Sequence, residues 1–314
     1  MSNAFQNSIV GAIEAGGTKF ICAVGSGRGA GMLARAQFRT GDDPVRLRNE
    51  VVAWFSQQQK KHGVLAAIGV ASFGPVDLDA QSPTHGFITT TPKPGWRNTD
   101  ILGPLRRAFP GVALGFDTDV NGAALGEHRW GAARGLEDFV YVTVGTGIGG
   151  GGMARGRLLH GLVHPEMGHM GVPRLAGDDF EGACSFHGRC WEGLCSGTAI
   201  AKRAGMPAED LPPDHPAWDS VIRYMAHALA NLTCVLSPRR IIVGGSVRKA
   251  GRLGEEAFFA RLRAAFREII AGYIASPALS ESGIAEFIVP PELGDDAGVC
   301  GAIALAQEAL GEKS

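Results

Sequence analysis

No apolar run in this sequence approaches the roughly 18 residues that a membrane-spanning helix needs, so a membrane protein is not expected. Excess charge of either sign is also missing. Thirty Lys and Arg stand against 31 Asp and Glu, a net charge of −1. That balance offers no basic face to a polyanion, and nucleic acid is not an expected partner. The opening residues Met1–Ser8 lack the charged-then-apolar pattern of a secretory signal. The cytoplasm is therefore the expected compartment. There the six cysteines (Cys22, Cys184, Cys190, Cys195, Cys234 and Cys300) are not read as disulfides. There is no low-complexity segment, no strict residue-level repeat and no obvious flexible linker.

What is present is a globular composition. Of 314 residues, 45% are hydrophobic and only 19% charged, enough apolar material for one large domain or two ordinary ones. Glycine is abundant at 46 residues, which suits tight strand connections and backbone lying close to ligands. Ser8–Val24 reads as strand, Gly-rich turn and strand, with a third strand at Ala34–Thr40. The apolar spacing over Pro44–His62 predicts a helix. Leu65–Ser72 is a short apolar run stopped by Phe73-Gly74-Pro75, a buried strand. Gly86–Trp96 reads as a Thr- and Pro-rich loop, Leu102–Phe109 as a helix and Val112–Phe116 as a strand. The pattern then begins again: a helix from Asp119 to Trp130, a strand at Phe139–Val144, an irregular stretch over Met153–Ala183, and helices at Gly197–Ala204 and Trp218–Leu236. A strand at Arg240–Val243 and helices at Glu255–Ile274 and Asp295–Leu310 complete it. Strands alternating with helices twice over predict two α/β domains.

Two glycine loops stand out. In Glu14-Ala15-Gly16-Gly17-Thr18-Lys19 the glycines let backbone N–H groups approach phosphate oxygens, with a hydroxyl from Thr18 and a charge from Lys19. An ordinary tight hairpin explains the same residues. The loop lies between strands, so it is not the helix-opening G-x-x-x-x-G-K-[ST] loop. The second loop comes after the strand at Phe139–Val144 and contains G-x-G-x-x-G at Gly145, Gly147 and Gly150. A dinucleotide fingerprint needs a helix next. MARGRLLHG comes instead, so the segment reads as another hairpin, in which Thr146 and Gly147 suit a nucleotide triphosphate. Gly244 and Gly245 end a further strand, a common border of a ligand crevice.

Asp119 stands at the predicted start of a helix. It could simply cap that helix, or it could serve as a rigid base that accepts a hydroxyl proton during phosphoryl transfer. The most specific pattern is His169 followed by Cys184-x-x-His187-x-x-Cys190. Two thiolates and two imidazoles make a complete tetrahedral zinc set. His164 competes with His169 for the fourth place. Four protein ligands close the shell, so the zinc is expected to be structural, fixing Glu166, His169 and Glu192 relative to one another. Cys195 is expected to be a buried free thiol.

Taken together, EAGGTK, the Asp119–Glu127 segment, VGTGIGGG, HPEMGH and CSFHGRCWEG resemble the ROK family of bacterial sugar kinases and repressors, from Ile9 to about Ala306. The resemblance implies a two-lobed actin-like ATPase (ribonuclease H-like) α/β fold with ATP and sugar in the interdomain cleft. It suggests a lobe of residues 1–117 plus 298–314 and a larger lobe of 118–297 with a zinc-binding insertion. It implies Asp119 as catalytic base. Gly74, Pro75, Thr118, Glu166, His169 and Glu192 would be on the sugar, and Gly16, Gly17, Thr18, Lys19, Thr146 and Gly147 on the phosphates of ATP·Mg2+. Gly244 and Gly245 would lie near the adenosine. The family's usual zinc pattern is C-x-C-G-x-x-G-C with one His. Here C-x-x-H-x-x-C replaces it, which is similar to the fructokinase branch, as are Thr118 before the catalytic Asp and the segment GFITTTPKPGW. D-fructose is the expected substrate, with another hexose or a non-catalytic sugar sensor as the alternatives. The repressors' N-terminal helix-turn-helix is not expected, because the first phosphate loop comes already at Gly16. By family analogy the protein is a homodimer.

Overall fold

A computed structural model describes residues 8–311. The chain forms two compact units. The first holds the chain up to Arg134, the short segment Leu159–His164, and the chain from Asp295 onward. The second holds Gly135–Leu158 and Pro165–Gly294.

The first unit opens with β1 (Val10–Ala15), β2 (Lys19–Gly25) and β3 (Met32–Arg39), then helix α1 (Pro44–His62) and β4 (Ala67–Ser72). The short pair β5 (Phe87–Ile88) and β6 (Thr99–Asp100) precedes α2 (Leu102–Ala108), β7 (Ala113–Thr118) and α3 (Asp119–Trp130). Strands order as β3-β2-β1-β4-β7: β1, β2 and β3 form an antiparallel meander, and β4 and β7 run parallel to β1. Helix α1 forms where the sequence predicts it for local reasons. Asp43 accepts a hydrogen bond from Arg46 N at 3.0 Å, Pro44 occupies the first turn, and Leu47, Val51, Phe55 and Gln58 make one buried stripe. That stripe meets Ile13, Val24, Ile68, Val70 and Trp96 in the unit's core.

The second unit holds β8 (Phe139–Val144), β9 (Ile148–Ala154), β10 (Arg157–Leu158), α4 (Trp191–Cys195), α5 (Gly197–Ala204), α6 (Ala217–Leu236), β11 (Ile241–Gly244), α7 (Glu255–Ile270), α8 (Ile284–Phe287) and β12 (Ile288–Val289). Its sheet order, β10-β9-β8-β11-β12, repeats the first unit's plan: an antiparallel three-strand meander with two strands parallel to its first member. The repeat predicted at the level of elements is thus a repeat of topology. The G-x-G-x-x-G segment is the β8–β9 hairpin, as its lack of a subsequent helix implied.

Helix α9 (Ala297–Ala309) returns to the first unit and packs on β4, β1 and α3. Its small residues explain how closely it lies. A Cβ on Gly69 would run into the Ala302 carbonyl, and one on Gly301 into the Gly122 carbonyl of α3. Most strand ends shift by one or two residues from those the sequence predicts, the short strand β5 falls within the predicted loop Gly86–Trp96, and other differences are larger. Helix α7 stops at Ile270 rather than Ile274, because Ala271 and Gly272 turn left-handed (φ 51° and 71°). Helix α9 begins at Ala297, after one 3-10 turn at Gly294–Asp296. The stretch expected to be irregular contains β10 and a 3-10 turn at Met167–His169. Among the described residues, no helix is long and apolar enough to cross a membrane.

Candidate active site and metal centre

Strand register assembles the candidate site of the first unit. Ala15 pairs with Ser72, and Ser72 with Thr118, so β1, β4 and β7 end side by side. Ligands of open α/β sheets gather outside such carboxyl ends. Each of the three strands leads directly into a predicted site segment: β1 into the Gly16–Lys19 turn, β4 into Phe73-Gly74-Pro75, and β7 into Asp119. The first turn is closed by Gly16 N donating to Lys19 O at 3.0 Å. Thr40 braces it, its N donating to Thr18 O at 3.0 Å and its Oγ1 to Gly16 O at 2.8 Å. Gly17, Thr18 and Lys19 are left exposed. Phe73 N donates to Ala15 O at 2.7 Å, tying the second turn to the first. The Gly74-Pro75 peptide is cis, and the Pro75 carbonyl accepts from Thr89 N at 2.8 Å and Thr89 Oγ1 at 3.1 Å.

The two readings of Asp119 separate here. The helix cap is Thr118, whose Oγ1 accepts from Asn121 N at 3.1 Å. Asp119 occupies the first helical position instead, with Oδ1 accepting from Val120 N at 2.9 Å. Burial pushes its carboxyl up to about 6, while the backbone hydrogen bonds pull the other way. A carboxylate poised near neutrality and fixed at a helix start is suited to take a proton. Behind it, the buried Asp117 accepts from Thr118 N at 2.7 Å and from Asn121 Nδ2 at 2.9 Å.

Glu14, to which the sequence motifs assign no role, belongs to the same edge. Burial, and then the charge of Asp119, push its carboxyl up to about 7. Its Oε2 is buried with no hydrogen-bond partner among the described residues. The available signal was an acid next to last in an otherwise apolar strand, separated by Ala15 alone from two glycines.

In the second unit, Thr143 pairs with Gly244, so the β8–β9 turn and Gly244-Gly245 share one sheet end. Gly145 N donates to Gly147 O at 2.9 Å, and Thr198 Oγ1 donates to Thr146 O at 2.8 Å. Gly245 has φ 83°, and the Val144 backbone fills the space a Cβ would need. The predicted sugar ligand Glu192 braces this turn. Its Oε2 accepts from Ile148 N at 2.9 Å and would lie 2.6 Å from a Cβ on Gly147.

The His/Cys set comes together fully. One donor atom each from His169, Cys184, His187 and Cys190 lies within 4.8 Å of all the others. His169 Nδ1 is 3.8 Å from Cys184 Sγ and 3.5 Å from Cys190 Sγ, and His187 Nδ1 is 3.8 Å from Cys184 Sγ. Tetrahedral zinc with ordinary bond lengths needs about 3.6 Å between sulfur and nitrogen. The cluster is therefore compatible with zinc. His164 is not a member: its Nε2 accepts from Val76 N at 3.1 Å in the first unit. With Nδ1 of His169 turned to the thiols, its Nε2 lies 4.0 Å from Glu166 Oε2, so the ring links the metal set to a predicted sugar ligand. Cys195 is buried and unpaired with any other cysteine, as expected.

The chain matches the family described as ROK over residues 10–309. It is 43% identical over 307 residues to a fructokinase of Zymomonas mobilis, covering 96% of this chain and 97% of that protein. It is 39% identical over 302 residues to a fructokinase of Pediococcus pentosaceus, covering 96% and 99%. Among solved structures, the ROK hexokinase of Thermus thermophilus superposes with a TM-score of 0.76 at 28% identity, covering 96% of this chain and 99% of that one. The fold is the two-lobed actin-like ATPase fold that the sequence motifs imply.

Proposed function

The chain belongs to the ROK family, and on that premise we propose that it is a fructokinase, transferring the γ-phosphoryl group of ATP to the 6-hydroxyl of D-fructose. The observation that carries the chemistry is the shared carboxyl edge of β1, β4 and β7, which sets a phosphate-type turn beside a poised carboxylate. Fructose rests on relatives of that name at 39–43% identity over nearly the whole chain.

Asp119 takes the proton of the 6-hydroxyl as that oxygen bonds to phosphorus, and the bond from phosphorus to the ADP oxygen breaks. Gly17, Thr18 and Lys19 offer N–H groups, a hydroxyl and an ammonium to the phosphates, and Thr146 and Gly147 from the second hairpin offer N–H groups and a hydroxyl. Gly244 and Gly245 flank the nucleoside. Gly74, Pro75, Thr118, Glu166, His169 and Glu192 hold the sugar, Glu192 with the oxygen not engaged by Ile148 N. The orphaned, buried Glu14 Oε2 beside Asp119 is a hard oxygen donor of the kind Mg2+ takes. Bound Mg2+ neutralises charge on the transferring phosphoryl group. His169, Cys184, His187 and Cys190 would hold zinc as four protein ligands in a structural role, and His169, held through Nδ1, would keep its Nε2 4.0 Å from Glu166 Oε2. We place the protein in the cytoplasm as a homodimer, the latter to be read by light scattering.

The test is to incubate purified protein with Mg·ATP and fructose and locate the phosphate by 31P NMR. Fructose 6-phosphate supports the assignment. Phosphate on another hydroxyl, or no transfer, refutes it.

A further inference from the structure

Six residues, Leu159–His164, leave the second unit's stretch of chain and group with the first, although Leu158 before them and Pro165 after them belong to the second. They form no helix or strand. Their tip does not hold them in place, since Leu162 is fully exposed and Val163 is 52% exposed. Two histidines do. His160 Nε2 lies 2.8 Å from Asp117 Oδ2, and Asn121 Nδ2 reaches Leu159 O at 3.3 Å as well as Asp117 Oδ1 at 2.9 Å. His164 is buried, accepts from Val76 N at 3.1 Å, and lies with its ring atoms 3.4 Å from where a Gly74 Cβ would be.

We propose that this strap is a positioning element for the reaction: His160 acts through Asp117 on Asp119, and His164 acts through Val76 N on the Gly74-Pro75 turn. The inference rests on the proposed roles of Asp119 as base and of that turn as pocket edge.

Asp117 bonds both Thr118 N and Asn121, the residues on either side of the Asp119–Val120 pair at the start of α3. Its second oxygen is held by His160 alone among the hydrogen bonds seen at that atom. Removing the imidazole lets the carboxylate rotate, and the start of α3 loses one of its anchors. The same hydrogen bond keeps His160 above the ordinary imidazole range, against its partial burial. His164 has a different target. Its nitrogen satisfies a backbone donor just past the cis peptide, so losing it loosens the pocket edge rather than the base.

The two histidines therefore predict different kinetics. His160→Leu should lower kcat about tenfold or more while the fructose KM changes little, since misplacing a reacting group by a fraction of an ångström is costly. His164→Leu should raise the fructose KM about fivefold with kcat largely kept. His160→Gln and His164→Gln, which retain a donor and an acceptor, should each recover most of the loss. All four are measured beside Asp119→Asn, with folded fraction read from thermal melts. Wild-type kcat in His160→Leu overturns the proposal. So do Leu variants whose kcat falls only in step with folded fraction, the mark of a structural role. If Asp119→Asn itself keeps full turnover, the base assignment fails instead. Loss in Asp119→Asn with wild-type kinetics in both Leu variants sinks the strap alone.

Discussion

Asp119→Asn separates the cost of the partly buried carboxylate from its use. The Asp119 carboxyl rises from an ordinary 3.8 to about 6, chiefly through burial. Each unit corresponds to about 1.4 kcal/mol, so folding opposes the ionised form by about 3 kcal/mol. The sign comes from proton linkage. A carboxyl with a raised folded-state pKa binds protons more tightly when folded, so it costs nothing below the unfolded value and its full amount above the folded one. Asparagine cannot ionise, yet its side-chain oxygen can still accept from Val120 N. The variant should therefore be more stable than the parent by about 3 kcal/mol at pH 8, and by roughly half of that at pH 5. Loss of the Asp119 charge also relieves Glu14, with the same sign. Urea unfolding at the two pH values measures this, and turnover should fall about 10²–10⁴-fold in the same variant. A gain in stability without loss of activity would remove Asp119 from the chemistry. Equal stability at both pH values would show that the anion is not buried at a cost.

The same geometry predicts further outcomes. The kcat/KM profile should fall on the acid side with a midpoint near the free-enzyme Asp119 value of about 6, because only the ionised carboxylate accepts a proton; a kcat/KM flat to pH 4.5, read in a coupled assay, would contradict that. Elemental analysis should find one zinc per chain, and Cys184→Ser or prolonged chelation should remove it and lower the melting temperature, since binding energy at a closed site is folding energy; a metal-free protein with an unchanged melt would contradict the structural role. Gly147→Ala drives a Cβ against the Glu192 carboxylate, which braces the turn through Ile148 N. It should raise KM for both ATP and sugar, and steady-state kinetics with wild-type values for both would refute the brace.

The elements legible in the sequence are those whose causes are local. Helix α1 carries its cap, its N-terminal proline and its stripe within Asp43–His62. The C-x-x-H-x-x-C segment declares its metal chemistry by ligand type and spacing. What stayed hidden depends on partners far along the chain. Asp119 and Thr118 both suit a helix start, and only backbone geometry shows that Thr118 is the cap. Asp117 and His160 are 43 residues apart, and nothing near either announces the other. Choosing His169 over His164 for the metal set required seeing that His164 serves Val76. Helix α4, five residues long, and the two-residue strands β5, β6, β10 and β12 are too short for any periodicity to register.

The most direct test of the central claim is kcat/KM for ATP-dependent phosphorylation of fructose, mannose, glucose and N-acetylmannosamine by the purified protein with Mg2+. A clear preference for fructose is the predicted result. Preference for another hexose would contradict the substrate while leaving Asp119 as base, and no turnover on any of the four would contradict the kinase itself.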